Sequence, residues 1–152
     1  MSLMEEAESL RKVPLFAKVE ESHLKLLSFT AERVSFMDGE TFIRQGDIGD
    51  HAFLILDGEV EILFETTEEA RLFNVMRANQ MVGEIALLRD SRRSASCRAR
   101  GAVTCLRLSR DVFFHLIRHS PDFAIGIMKE LAYRLDYGAE QVRDILRTQR
   151  SR

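Results

Sequence analysis

The chain has 152 residues, 45% of them hydrophobic and 30% charged, with a formal net charge of −2 and two cysteines. This composition excludes a disordered chain, a disulfide scaffold and a cysteine-based zinc site. No uncharged run approaches the ~18 residues of a membrane span, and the acidic residues 4–8 are unlike a secretory signal. We therefore predict a soluble cytoplasmic protein without a membrane segment, in which Cys97 and Cys105 are buried thiols.

The order of apolar runs and turn residues divides the chain into three zones and predicts one α+β domain over residues 4–150. Residues 1–3 precede a second methionine and are interpreted as a cloning remnant. The zones are a helical part at 4–33, a part made of strands and turns at 34–108, and a second helical part at 109–150.

Two residues organise the first zone. Pro14 interrupts it, because proline lacks an amide hydrogen and clashes inside a helix. Ser22 is predicted as the N-cap of a helix that runs through Leu27, since its hydroxyl can accept a hydrogen bond from the first turn.

The second zone has the punctuation of an antiparallel sheet. Apolar runs at 52–56 and 60–64 flank Asp57-Gly58, a pair that suits a tight turn, and so predict a hairpin. Further strands are predicted at 72–76 and 103–108. Turns at intervals of about 8–12 residues favour a barrel or a jelly-roll-like double sheet over βαβ units.

The third zone is predicted to contain two helices. Ser109 caps the first, which runs through Ile117, and Ser120 caps the second, which opens at Pro121. In the second helix, apolar residues alternate by three and four, as in a heptad seam. This seam fits either a dimeric coiled coil or a face packed on the sheet. Its positions are Met128, Leu131, Leu135, Gly138, Val142 and Ile145.

Charge is unevenly distributed along the chain. Residues 1–88 hold 8 basic and 17 acidic side chains, whereas residues 89–152 hold 14 and 7, with five arginines at 89–100 alone. A basic block of this kind is compatible with nucleic acid, with a phosphorylated ligand or with a solvated face. The spacing of the residues has to decide among these interpretations.

The segment 82–96 carries the chemistry. Good helix formers at 84–88 follow Gly83 and predict one helical turn or slightly more. The amide groups at the start of such a helix have no partner within it and point the same way, which favours an anion.

The residues around this helix supply the rest of a phosphate site. Arg93 offers a guanidinium with bidentate geometry, and the small residues Ser94 and Ala95 let the backbone approach a ligand. Glu84 is an unexpected neighbour for a phosphate unless it accepts a hydrogen bond from a hydroxyl, such as a ribose 2′-hydroxyl.

The residues Gly-Glu-Ile-Ala-Leu-Leu at 83–88, followed by Arg-Ser-Ala-Ser at 93–96, resemble the phosphate-binding cassette of the cyclic nucleotide-binding domain family. The family includes catabolite activator proteins, protein kinase A regulatory subunits and cyclic-nucleotide-gated channels. Segments 39–40, 44–47 and 56–60 resemble its early strands and turns. The resemblance implies an eight-stranded antiparallel β-roll, flanked by N-terminal helices and a C-terminal pair of hinge and lid helices.

The resemblance also implies a role for each cassette residue. Arg93 would pair with the cyclic phosphate, and Glu84 would accept from the ribose 2′-hydroxyl. Ser94 would offer its hydroxyl and its amide to the phosphate. Backbone contacts would come from Gly83, Ile85, Ala86 and Ala95.

The chain departs from the family pattern where the lid meets the base. A Thr-Ser pair that reaches adenine in the catabolite activator proteins falls here on Gly138-Ala139, which has no side-chain hydrogen bond to offer. Base contacts are therefore expected from Val82, Leu135 or Tyr137, or from the chain beyond this point. Gly138 costs a helix about 1 kcal/mol relative to alanine, which indicates a close approach or a hinge. The expected ligand is cAMP, with cGMP left open, and no cofactor.

The function predicted from these residues is cyclic nucleotide sensing without catalysis, relayed through the C-terminal helix to a partner protein or an attached domain. A homodimer through the 128–145 helix is a further expectation. One alternative is a roll without ligand that binds proteins. Another is the sensor part of a transcription regulator that lacks its DNA-binding domain. No helix-turn-helix follows the lid helix in the sequence pattern, so this chain alone is not expected to bind nucleic acid.

Other charged and histidine residues are interpreted as structural or solvent-facing. His115 and His119 have the spacing of a metal pair on a helix, but no further ligand accompanies them. No nucleophile–base pair and no metal cluster of a cyclic nucleotide hydrolase is present in the pattern. The arginines taken as surface charge are Arg89, Arg92, Arg98 and Arg100.

Overall fold

The computed structural model describes residues 3–150, with side chains for 4–149, and is built from five helices and six strands. The helices are α1 Leu3–Arg11, α2 Glu21–Thr30, α3 Glu84–Arg89, α4 Arg110–His119 and α5 Pro121–Arg150, with a 3₁₀ turn at Pro14–Phe16. The strands are β1 Glu32–Phe36, β2 Thr41–Ile43, β3 His51–Glu65, β4 Ala70–Met76, β5 Met81–Val82 and β6 Ser96–Ser109. Part of the segment interpreted as a cloning remnant, residues 1–2, lies outside this description.

The break at Pro14 is confirmed, because the chain forms only a short 3₁₀ turn there between α1 and α2. The prediction that Ser22 caps α2 is wrong. The helix already begins at Glu21, and the Glu20 carbonyl accepts the amides of His23 and Leu24. Ser22 therefore lies exposed inside the first turn, where its hydroxyl has no cap to make.

All strand pairings are antiparallel. The order is β1-β6-β3-β4, with β2 also paired to β6 and β5 to β3. The strands predicted at 72–76 and 103–108 lie within β4 and β6. The α+β class and the antiparallel roll with helices at both ends are confirmed.

The hairpin predicted at Asp57-Gly58 is wrong. Residues 51–65 form one long strand, and both of its halves pair with β6. The register shifts around Asp57, and Gly58 adopts a φ of 96° within the ladder. A side chain at Gly58 would collide with the Ala102 carbonyl oxygen. The glycine thus makes a β-bulge, which bends the strand instead of reversing it.

The same continuity explains the number of strands. The resemblance implied eight, whereas the structure has six, of which β3 has 15 residues and β6 has 14. Gly58 in β3 and Gly101 in β6 both have a positive φ, and each long strand continues through its glycine. Each long strand thus contributes to both ends of the roll.

The core has two parts. One lies between the helices and the sheet, and there the ring centroid of Phe123 lies 5.8 Å from that of Phe16 and 6.0 Å from that of Phe113. The other fills the roll, where the rings of Phe36 and Phe42 stack at 4.2 Å. Cys97 and Cys105 are buried in this second part as free thiols, as predicted.

Both predicted caps of the C-terminal helices are confirmed. The Val112 amide donates to Ser109 Oγ at 3.3 Å, and the Phe123 amide donates to Ser120 Oγ at 3.3 Å. Helix α4 ends at His119, two residues beyond the predicted Ile117. Within 3–150, every helix falls short of the length or hydrophobicity needed to cross a bilayer.

The apolar seam of α5 is largely uncovered. Phe123 and Ile127, which precede the seam in α5, are buried, and Leu131 is partly buried against the core, but the other apolar side chains of the seam are exposed. The exposed fractions are 59% at Met128, 76% at Leu135, 56% at Val142 and 58% at Ile145. The interpretation in which the whole seam packs on the roll is therefore wrong.

Candidate functional site

The short helix α3 is held by a sharp turn at its start. Gly83 is its N-cap residue, with a φ of 86° that favours glycine. A Cβ at Gly83 would lie 2.8 Å from Arg93 Nη1. The glycine is needed both for the backbone conformation and for the approach of the arginine.

Arg93 lies under this turn and is only 9% exposed. Its Nη1 donates to the Gly83 carbonyl and its Nη2 to the His51 carbonyl, each at 2.7 Å. Both acceptors are neutral, and within 3–150 no carboxylate forms an ion pair with this guanidinium. Burial lowers the pKa of Arg93, but an arginine stays charged at any ordinary pH. A buried positive charge is thus left without an anion.

The loop before β3 fixes Arg93 from the other side. The Gly46 amide donates to the Arg93 carbonyl at 2.9 Å, and the Arg93 amide donates to the Asp47 carbonyl at 2.8 Å. A Cβ at Gly49 would lie 2.8 Å from both Cζ and Nε of Arg93. Gly49 therefore leaves the space that the guanidinium fills.

Glu84 is the buried acid of the site, at 1% exposure. Its Oε1 accepts a hydrogen bond from Arg134 Nη1 of α5, whereas its Oε2 is buried without a partner among the described residues. Burial raises the pKa of Glu84, although the nearby Arg134 acts to lower it. Burying an acceptor without a hydrogen-bond partner is costly. Glu84 Oε2 is therefore available to accept a hydrogen bond from a neutral donor.

Arg134 connects the long helix to the strand before the cassette. Besides Glu84, it donates to the Met81 carbonyl and lies 3.5 Å from Glu130. The Met81 amide in turn donates to Glu130 Oε1 at 3.1 Å. Burial raises the pKa of Glu130 as well.

These residues surround a pocket with a cavity volume of about 130 Å³. Its wall contains all eight residues predicted from the β-roll part of the chain. These are Val82, Gly83, Glu84, Ile85, Ala86, Arg93, Ser94 and Ala95. Their roles toward a ligand stay predictions.

The two lid residues are a different case. Neither Leu135 nor Tyr137 lines the pocket, and Leu135 is 76% exposed. A helix turns by about 100° per residue, so the face of α5 that presents Arg134 to the pocket turns Leu135 aside. The close approach considered for Gly138 is also absent, since a Cβ there would meet no atom within 4 Å.

Sequence reasoning missed Arg134, Glu130 and Gly49. Arg134 and Glu130 are four residues apart and face one side of α5, which is a visible pattern. Nothing in that pattern names Glu84, 50 residues earlier, as the partner. The sequence around Gly49 offers only a glycine–aspartate pair, Gly49-Asp50, which is typical of turns and does not point to Arg93.

The remaining charged residues fit the structural interpretation. Arg98 and Arg100 bond to Glu61 and hold the pKa of that carboxyl below its ordinary value. Arg92 donates to the Gly46 carbonyl at 2.9 Å, and Arg89 is exposed.

In the part of the chain that the structure describes, no three metal-ligating side chains are grouped to hold an ion. Burial raises the pKa of the Cys97 thiol to about 12.

The site thus combines an antiparallel roll, a buried guanidinium without an ion pair among the described residues, and a half-satisfied buried carboxylate beside a short helix. The family model described as "Cyclic nucleotide-binding domain" matches residues 33–120. The chain therefore belongs to the cyclic nucleotide-binding domain family.

The chain is similar to known regulatory proteins. It is 32% identical to the cAMP-dependent protein kinase regulatory subunit of Blastocladiella emersonii, over 71% of this chain and 27% of that protein. The corresponding subunit of Dictyostelium discoideum is 33% identical, over 72% and 35%. The solved catabolite activator protein of Thermus thermophilus superposes with a TM-score of 0.73 and 28% identity, over 88% and 62%. The chain thus spans about a third or less of the two kinase subunits.

Proposed function

We propose that residues 4–150 form one sensing module that binds a cyclic nucleotide, cAMP in the first place, and does not catalyse a reaction. The observation that carries the proposal is the guanidinium of Arg93, buried and without an anion at the start of a short helix. A cyclic phosphate would supply the missing negative charge.

The rest of the pocket matches the rest of such a ligand. Glu84 Oε2 would accept a hydrogen bond from the ribose 2′-hydroxyl, since that oxygen is buried and has no partner among the described residues. Gly83, Ile85, Ala86 and Ala95 would contribute backbone, and the hydroxyl and amide of Ser94 would face the phosphate. cAMP is preferred over cGMP because the two kinase subunits named above are cAMP-dependent.

The relay would run through α5. Arg134 joins this helix to Glu84, and Glu130 joins it to the strand that precedes the cassette. A ligand that contacts Glu84 would change the environment of Arg134, and so favour one position of α5. The receiver would be a partner protein, such as a kinase, or an attached domain.

Two further parts of the proposal concern a second copy of the chain and the cellular compartment. The exposed seam of α5 would pair with the same seam of a second copy, as a coiled coil, because its apolar positions alternate by three and four. The free, buried thiols Cys97 and Cys105 are consistent with the reducing cytoplasm. The proposed module does not itself bind nucleic acid or a membrane.

The test is calorimetric titration of the nucleotide-free protein with cAMP and with cGMP. Arg93→Ala removes charge-assisted hydrogen bonds worth about 1.5–3 kcal/mol each, so cAMP affinity should fall by more than tenfold. The matched control is Arg89→Ala, which deletes the same side chain from an exposed position at the end of α3 and should bind as the wild type does. Hydrogen exchange in the same samples should show α5 responding to cAMP.

The outcomes separate the proposal from its alternatives. An affinity of Arg93→Ala within twofold of the wild type would refute the phosphate site. No binding of either nucleotide by the wild type would leave a roll that binds proteins only. Binding without any change in exchange along α5 would leave the site in place and remove the relay.

A further inference from the structure

A second cavity lies between the N-terminal helices and the sheet. Its volume is about 440 Å³, compared with about 130 Å³ for the pocket beside Arg93, and among the described residues the two share no lining residue. Its wall is formed by α1, the end of α2, three strands and the turn between β4 and β5. Cavities of several hundred Å³ are of the size that small-molecule ligands occupy in proteins.

The inner wall of this cavity is apolar. Leu10 of α1, Val13 and Leu106 of β6 are buried in the part of the core that lies between the helices and the sheet. Leu56 of β3 packs against the same part of the core and also lines the cavity. A ligand with a hydrocarbon part would bury it against these side chains, which is favourable because apolar surface leaves water.

The outer wall carries an excess of positive charge. Lys12 and Arg33 both line the cavity, and both are exposed, so their charged groups lie at its rim. Among the described residues, neither side chain forms an ion pair or a hydrogen bond. Glu32, the carboxylate next to Arg33, pairs instead with Arg107. Glu6 also lines the cavity, so the wall has two positive charges and one negative charge.

The hydroxyl of Ser28 is a further group without a partner. Ser28 lines the cavity from α2, and its Oγ is buried with no hydrogen bond among the described residues. Thr30, two residues later, donates its hydroxyl to the Leu26 carbonyl at 2.7 Å, a bond that hydroxyls inside helices commonly form. A buried hydroxyl without a hydrogen bond costs free energy. Rotation about its Cα–Cβ bond would turn the Ser28 hydroxyl toward the cavity.

We propose that this cavity binds a small organic carboxylate with a hydrocarbon tail. The carboxylate would lie at the rim between Lys12 and Arg33, where the guanidinium can donate to both oxygens. The Ser28 hydroxyl would donate a third hydrogen bond to the ligand. The tail would lie inside, on Leu10 and Leu56. A ligand with a single negative charge fits better than a phosphate monoester, because the wall has only one positive charge in excess.

The test is a titration of the isotope-labelled full chain with hexanoate, followed by NMR through the backbone amides. The amides of Lys12, Ser28 and Arg33 should shift as hexanoate is added. Hexanamide has the same size without the charge, and acetate has the charge without the tail. Each should bind about fivefold more weakly than hexanoate or worse, because each lacks one half of the recognition.

Three variants assign the binding to the charges of the rim. Lys12→Gln/Arg33→Gln should weaken hexanoate about tenfold, because both cations beside the carboxylate are lost. Glu6→Gln should strengthen it about threefold, because a like charge is removed from the wall. The matched control is Lys18→Gln/Arg89→Gln, which removes the same two charges from exposed positions outside the cavity and should bind as the wild type does. The same spectra show whether each variant is folded.

Several results would overturn this site. Equal affinities for hexanoate and hexanamide would show that the charged rim takes no part. Equal losses in the two double variants would show an effect of net charge alone. The site would also be excluded if hexanoate shifted only amides along the exposed seam of α5, or shifted none up to its solubility limit. Each of these results leaves the proposed function standing, because the residues of the pocket beside Arg93 do not line this cavity.

Discussion

Arg134 gives the pocket a second positive charge that comes from a different part of the chain than Arg93. It satisfies one oxygen of Glu84 and leaves the other bare. The two arginines therefore differ in kind, since Arg93 meets only neutral carbonyls and Arg134 meets carboxylates. At the scale of single residues, and among the described residues, the pocket holds one guanidinium without an ion pair and one carboxylate oxygen without a hydrogen-bond donor.

The raised pKa of Glu84 leads to a prediction about stability. The folded protein keeps the Glu84 proton to a higher pH than the unfolded chain does, so the free energy of unfolding falls as pH rises from the ordinary value of 4.5 through the raised one. Glu84→Gln has no such proton. The wild type should therefore lose stability relative to Glu84→Gln as the pH rises above the ordinary value of 4.5.

Urea unfolding of both proteins at several pH values measures this difference. Glu68→Gln, which changes an exposed carboxylate in the turn after β3, is the control and should give a constant difference from the wild type. A difference between wild type and Glu84→Gln that is constant or grows with pH would contradict the burial argument.

Elements were mostly predictable from sequence where local chemistry decides them, and the cap expected at Ser22 is the exception. The caps Ser109 and Ser120 and the break at Pro14 depend on neighbours a few residues away, and all three are confirmed. The hairpin at Gly58 failed for the opposite reason. A positive φ is common to turns and bulges, and the pairing of both halves of β3 with β6 decides between them. The same limit hid the contact of Arg134 with Glu84.

Caps give the prediction that belongs to the elements. Ser120→Ala removes the oxygen that accepts the Phe123 amide at the start of α5, and Ser120 is only 4% exposed. The substitution should lower the free energy of unfolding by about 1 kcal/mol in urea. Ser22→Ala, the same change at the position that does not cap α2, should stay within about 0.5 kcal/mol of the wild type. Equal losses in the two variants would assign the effect to something other than the cap.

At the scale of the whole molecule, α5 has two different halves. Its first half packs on the core through Phe123 and Ile127 and reaches the pocket through Arg134. Its second half continues to Arg150 with apolar residues on one side and charged residues on the other. The charged positions Asp136, Glu140, Arg143, Asp144 and Arg147 all lie outside the seam. That division is what a two-stranded coiled coil requires, with its seam facing a second copy.

The dimer can be tested by sedimentation equilibrium. The wild type should show twice the chain mass of 17.5 kDa, and Val142→Glu/Ile145→Glu should show one chain mass, because charge in the seam opposes pairing. Arg143→Gln/Arg147→Gln makes the same change in net charge outside the seam, and should remain dimeric. A monomeric wild type, or a seam variant that still dimerises, would contradict pairing through α5. If the seam variant is monomeric and still binds cAMP, the pocket works without a partner and α5 joins two independent sensors.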